Sequence, residues 1–198
     1  MDKASSEIAA VAARMVVEDG LEWGAAKRRA VQQLGLGPRA RLPGNEELED
    51  AVREHIDIFY ADTQPVELAA LRRLALTWME RLQEFRPHLA GAVWYGTATR
   101  RSDVYMQLFC DDPKSAEILL IDRGVRYEPR TVPGFRGDPV EALSVQSHSA
   151  ELGETIGVHL LVHDLDELRG ALKPDARGRT PRGSLDAVRK LVQQEAEA

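Results

Sequence analysis

Cysteine is nearly missing from this sequence. Cys110 stands alone, so no internal disulfide can form, and a single thiol fits a reducing compartment. No apolar run approaches the roughly 20 residues that a membrane-spanning helix needs. The N-terminus, Met1 to Glu7, lacks the charged-then-apolar pattern of an export signal, so a cytoplasmic location is expected. Positive charge is in deficit. Lys and Arg total 26 against 32 Asp and Glu, a net charge of −6, whereas nucleic-acid binding calls for a basic face. No solenoid-spaced repeat occurs. No Gly-x-x-x-x-Gly-Lys-Ser/Thr phosphate loop occurs either, and 198 residues are few for a multidomain ATP-dependent ligase. What remains is an ordinary globular composition, 43% hydrophobic and 29% charged. Its length suits one domain, or a small one with a helical extension.

Hydrophobic periodicity predicts helices over 6–18 (Ile8, Val11, Ala12, Met15, Val16) and 22–34 (Trp23, Ala26, Ala30, Val31, Leu34). Gly20 and Gly35 end them. Lys27, Arg28 and Arg29 are read as a solvated face. A Gly/Pro-rich linker, Gly35–Gly44, follows. Asn45 is expected to cap a third helix with Leu48, Ala51, Val52, Ile56 and Phe59 inward. Thr63, Gln64 and Pro65 open a long fourth helix whose stripe includes Leu68, Leu71, Ala75, Trp78, Met79, Leu82 and Phe85.

From Leu89 the signal changes. Leu89–Tyr95 reads as a short buried strand, and 103–110 alternates as a second. Asp112 and Pro113 start a helix that Gly124 closes. Further strands are expected over 125–132, 140–146 and 155–163. A short helix over 165–172 and a last one capped by Ser184 complete the chain. The predicted fold class is therefore α+β: a helical region over residues 1–62, then a mixed sheet flanked by helices over 63–198.

The stretch from Trp94 to Asp112 carries the chemical signal. An apolar segment runs into Gly96-Thr97, a short turn follows with Arg100 and Arg101, and Ser102-Asp103 begins an alternating strand. This layout resembles the nucleotide-binding signature of the polymerase-β-like nucleotidyltransferase superfamily. In that pattern Gly96-Thr97 stands where the family has Gly-Ser, which lets phosphates approach the backbone. Asp103 stands at the first acidic position, as catalytic residue and metal ligand, and Tyr105 stands where the second carboxylate belongs. Glu141 is the candidate third carboxylate. The whole chain is also similar to bacterial proteins described as nucleotidyltransferase-like, through residues 26–29, 45–48, 85–89 and 108–112. The resemblance implies a nucleotide or other anionic ligand at Gly96, Thr97, Arg100, Arg101 and Ser102, with Mg²⁺ accompanying the nucleotide as the implied cofactor. The incomplete acidic set argues against turnover, because hard divalent ions want several oxygen ligands. Asp111 cannot complete the set, lying about 26 Å along the strand from Asp103.

A second feature is local. Between Arg169 and Lys190 seven basic residues face two acidic ones, an excess of 7 − 2 = +5 in an acidic protein. Arg177, Arg179 and Arg182 lead into a helix N-terminus and are read as further phosphate contacts. His159 and His163 sit about 13 Å apart on one strand, too far for one metal. The expected function is binding of a phosphate-bearing ligand. The alternatives are a helical module that binds a protein partner, its pocket vestigial, and an active nucleotidyltransferase.

Overall fold

The computed structural model describes residues 3–37 and 39–197; Pro38, within the Gly/Pro linker, lies outside them. The fold is α+β, with eight α-helices and one six-stranded mixed sheet among the described residues. The chain divides into two compact units. One holds the residues up to Glu67 together with Thr97–Ser102, and the other holds Leu68–Gly96 and everything from Asp103 onward.

The first unit is helical: α1 (Lys3–Asp19), α2 (Trp23–Gln33), α3 (Asn45–Phe59) and the opening turn of α4 (Gln64–Arg81). Ile8, Ala12 and Met15 of α1 and Leu48, Val52 and Ile56 of α3 recur at three- and four-residue spacing, and all are buried in one cluster with Ala26 and Ala30 of α2. Small residues on α1 and α2 let the helices approach closely. Two sequence expectations change here. The N-cap of α3 is Gly44 and not Asn45, and Glu47 reaches back to accept from the Gly44 amide at 2.8 Å. Asn45 is thereby free to accept from Lys27 Nζ at 2.8 Å. Lys27 is buried rather than solvated, and burial pushes its pKa below the usual lysine value.

The second unit is built on strands β1 (His88–Ala90), β2 (Val104–Cys110), β3 (Glu128–Pro133), β4 (Pro139–Ser149), β5 (Glu154–Asp164) and β6 (Gly183–Ser184). Their order is β3-β4-β5-β2-β1-β6, with β2 and β5 parallel and every other pair antiparallel. Between the strands lie α5 (Gly91–Tyr95), α6 (Lys114–Asp122), α7 (Leu168–Ala171) and the closing α8 (Leu185–Glu197). Asp112 accepts from Lys114 N at the start of α6, and Ser184 Oγ accepts from Ala187 N at the start of α8.

The strand expected over Leu89–Tyr95 is a correction. Extended backbone ends at Ala90, Gly91 turns at φ +68°, and 91–95 coil into α5. A seven-residue apolar run is ambiguous between buried strand and buried helix, and a left-handed glycine is what divides this one.

Two-residue periodicity and the register give the sheet two unlike faces. Leu89, Val104, Met106, Leu108, Leu143, Val145, Val158, Leu160 and Val162 share one face, and all are buried. Helix α4 lies on this side, where Trp78 Nε1 donates to Ser147 Oγ at 2.9 Å. Ion pairs Arg72–Glu195 and Arg189–Glu80 tie α8 to α4. The opposite face carries His88, Tyr105, Gln107, Phe109, Ser144, His159 and His163. At the outer edge, β3 is mostly exposed and holds Pro129 and Pro133, residues that discourage further strand pairing.

Candidate functional site

Gly96 closes α5. It sits at φ +81°, the left-handed position that commonly ends a helix, and its amide donates to Ala92 O at 2.9 Å. Arg72 completes the cap from α4: its Nε donates to Val93 O at 3.1 Å and its Nη2 to Trp94 O at 3.3 Å. A Cβ on Gly96 would lie 3.3 Å from Arg72 Nη2, a tight contact in addition to the strain of its φ.

Residues 97–102 belong to the helical unit, and their amides find partners there. Thr99 N donates to Ser102 Oγ at 3.0 Å, and Ser102 N returns a bond to Thr99 O at 2.8 Å. Arg101 N reaches Thr99 Oγ1 at 3.4 Å, and Thr99 Oγ1 donates to Val17 O at 3.3 Å. Arg100 N donates to the Glu67 carboxylate at 3.0 Å. Gln64 Nε2 fixes Ala98 O at 2.7 Å. Thr97 is buried, Ser102 is half-buried, and Arg100 and Arg101 are exposed. The turn is a well-tied connection whose amides from Thr99 to Ser102 are already committed.

Asp103 stands just before β2 in the second unit, with its side chain 47% exposed. Its Oδ1 accepts from Gly157 N at 3.1 Å and its Oδ2 pairs with His159 Nε2 at 2.9 Å. His159 Nδ1 faces Ser144 Oγ at 2.9 Å. The tautomer of His159 sets which of these groups donates. The Tyr105 ring lies against the His159 ring, centroids 4.8 Å apart. A Cβ on Gly157 would fall 2.8 Å from the Asp103 carboxylate, so glycine there gives the carboxylate its seat.

Glu141 is not brought to Asp103. It pairs in register with Val162, on the apolar side of the sheet, and binds Lys114 Nζ at 3.2 Å. Asp103 is anchored on the polar side at Gly157 and His159, five and three residues back along β5, which is about 16 and 10 Å. The two carboxylates cannot share a metal ion, which corrects the expectation of a third acidic ligand at Glu141. No group of three or more His, Cys, Asp or Glu side chains is placed to hold a metal ion among the described residues.

The arginine-rich segment is ordered by Asp175. Its Oδ1 accepts from the amides of Arg177 and Arg179 at 3.0 and 2.9 Å, and its Oδ2 accepts from Arg179 Nε at 3.0 Å. The Arg179 amide, first among these contacts, helps hold the Asp175 carboxyl below its ordinary range. The Arg179 guanidinium lies over the Tyr95 ring, 4.7 Å from its centroid. Arg182 turns inward: Nε donates to Gln107 Oε1, Nη1 to Ala171 O at 2.6 Å, and the guanidinium lies 5.0 Å from the Phe135 centroid. Arg179 is thus paired with an acid, while the partners of Arg182 are neutral.

Sequence reasoning did not single out Ser144, His159, His163 or Phe135 as functional. The signal was present for the histidines, since even spacing on β5 sets His159 and His163 on one face. What pairs with them comes from β2, β4 and the 133–139 loop, which only the sheet register brings near. His88 and His163 are both buried, and burial pushes both below the ordinary imidazole value, with the Arg182 charge adding to the effect.

These directions set a pH dependence. The folded protein keeps the two rings neutral, while the unfolded chain protonates them below about 6.5. Their contribution is therefore complete above that pH and is lost as the pH falls from there toward the depressed folded values. Urea unfolding at pH 7.5 and 5.5 should show lower stability at 5.5, with a smaller drop in His163→Gln. An equal drop in parent and variant would show that other groups carry the dependence.

A shallow recess of about 230 Å³ lies elsewhere in the second unit, between Trp78 and Leu82 of α4 and Leu119, Leu120 and Val125. None of the candidate ligand-binding or catalytic residues lines it. No protein-family model matches this sequence, and no curated protein matches it closely enough to carry an assignment.

Proposed function

We propose that this protein binds a nucleotide or another phosphate-bearing ligand, and that it does not transfer nucleotidyl groups by two-metal chemistry. The observation that carries the reading is the order of elements around Asp103. β1 and β2 are antiparallel neighbours, Gly96 lies in their connection, and Asp103 stands just ahead of β2 with a half-exposed carboxylate. The resemblance implies this neighbour order with a strand running into Gly96; helix α5 ends there instead, so the support lies in the β1–β2 adjacency and in Asp103 alone. Against turnover stand Tyr105 at the second acidic position and Glu141 on the far side of the sheet. Asp103 itself is already engaged by an amide and a histidine. Two-metal transfer needs carboxylates that converge on both ions.

The test is calorimetric titration of nucleoside triphosphates with and without Mg²⁺. Binding is expected in both, with affinities within about threefold of each other, a difference under about 0.7 kcal/mol. Tight Mg²⁺-dependent binding that Asp103→Ala abolishes would overturn the metal-free reading. No binding of any nucleotide or phosphate would overturn the function.

A second reading has its own observation. Leu42, Ile58, Phe59 and Val66 are exposed apolar side chains, and all belong to the helical unit; Phe59 is 66% exposed. The second unit exposes Ile118, Ile121 and Leu172 too, but Phe59 beside Ile58 favours a protein partner on the helices. Such a partner is compatible with a ligand on the sheet.

A further inference from the structure

Arg182 is a half-buried cation with no carboxylate partner among the described residues. Its Nε and Nη1 serve neutral acceptors, Gln107 Oε1 and Ala171 O, which leaves Nη2 uncommitted. Burial works against its charge, and only the Tyr95 phenol offsets this. An enclosed guanidinium without a counter-ion is costly unless something supplies one. A second arginine stands on the same ring. Arg136 lies 5.7 Å from the Phe135 centroid, is exposed, and makes no hydrogen bond or ion pair to the described residues. Its Nη2 comes close to Gly170, where an added Cβ would sit 2.7 Å away, while Arg182 holds the carbonyl of Ala171 next door. Both guanidinium groups thus border Phe135 and the 170–171 backbone.

An independent feature meets them. His163 is 1% exposed, and its Nδ1 is paired with Glu167 Oε2 at 3.1 Å. Its Nε2 is buried with no hydrogen-bond partner among the described residues, although buried polar atoms are rarely left so. The ring lies 5.1 Å from Phe135 and 5.4 Å from Phe109. Its Cε1 edge faces Gly134, where an added Cβ would lie 3.6 Å away. That glycine starts the 134–138 turn, closed by Gly134 N donating to Asp138 O at 2.7 Å, and the same turn presents Phe135 and Arg136.

We propose that this end of the polar sheet face, bounded by the 134–138 turn and Ala171, is a phosphate-binding site in which Arg182 and Arg136 hold the anion. The inference rests on the phosphate-binding reading above and moves the anion away from the 97–102 turn, where the amides from Thr99 to Ser102 are committed. Arginine suits the task because its planar fork offers paired donors to phosphate oxygens. The His163 Nε2 is buried, so it meets the anion only when the Phe135 ring shifts aside. The ligand class is a small phosphate or diphosphate group, free or carried by a nucleotide. The net negative charge of the chain disfavours long polyanions.

Calorimetric titration with inorganic phosphate, pyrophosphate and ATP tests the site on the full chain, in the parent, Arg136→Ala and Arg182→Lys. Pyrophosphate binding is expected, weakened about tenfold or more in each variant, as losing a charge-assisted contact implies. Arg136→Ala should keep the parent melting temperature without ligand, because its side chain bonds to nothing among the described residues. If Arg182→Lys fails to fold, Arg136→Ala still decides. Pyrophosphate binding equal to the parent in Arg136→Ala, or no anion binding by the parent, overturns the site. Nucleotide binding that survives both variants but is lost in Arg101→Ala would overturn this site while leaving the phosphate-binding function standing. ATP binding without pyrophosphate binding would also overturn it, since recognition would then lie with the nucleoside.

Discussion

Replacing Arg72 by methionine is expected to destabilise the protein by roughly 3–5 kcal/mol, the range for removing one partner of a buried ion pair. Arg72 is 7% exposed, and its guanidinium joins three things: the Glu195 carboxylate on α8 and the carbonyls of Val93 and Trp94 in the last turn of α5. The substitution keeps most of the side-chain volume and removes all of those bonds. Glu195 would then hold a charge in a site where its Oε2 already lacks a partner. The two helix-end carbonyls would lose their cap beside Gly96. A cycle with Glu195→Leu separates these effects. The double variant should recover a large part of the loss, because the stranded charge is gone, while the uncapped carbonyls remain. Urea unfolding of parent, both singles and the double measures it. A single-variant loss under about 1 kcal/mol would mean that water reaches the pair and that it behaves as a surface contact.

Phe109→Ala is expected to cost about 3–5 kcal/mol, the usual penalty for truncating a buried aromatic ring. Phe109 is fully buried, stands edge-on to His88 at 5.5 Å and stacks on His163 at 5.4 Å. Its removal also opens space beside two histidines whose pKa values are held down by burial. Water in that space would let both rings move back toward the ordinary imidazole value. The stability loss between pH 7.5 and 5.5 should therefore be smaller in Phe109→Ala than in the parent. NMR titration of the two imidazoles checks the same point directly. A large stability loss with an unchanged pH slope would show that Phe109 packs the core without shielding the histidines.

Much of the architecture is written in local pattern. The three- and four-residue spacing of Ile8, Ala12 and Met15, and of Leu48, Val52 and Ile56, determines amphipathic helices whatever surrounds them. Alternation from Val104 to Cys110 determines a strand with an apolar and a polar face, and Asp112 and Ser184 mark helix starts through short-range capping. These signals act over a turn or two of chain, so the sequence by itself carries them. The α+β class follows from their order. Tertiary structure decided which groups meet. Gly91 splits an apolar run that reads equally well as strand. Glu67 takes the Arg100 amide from 33 residues away, and His159 takes Asp103 from 56 residues away. Glu141 goes to the opposite face because its parity on β4 is set by pairing with β5. The charge of Arg182 was legible in the sequence, but its lack of an acidic partner among the described residues was not. Pairing depends on which carboxylates the sheet register and the loops carry into reach, and no local pattern encodes that.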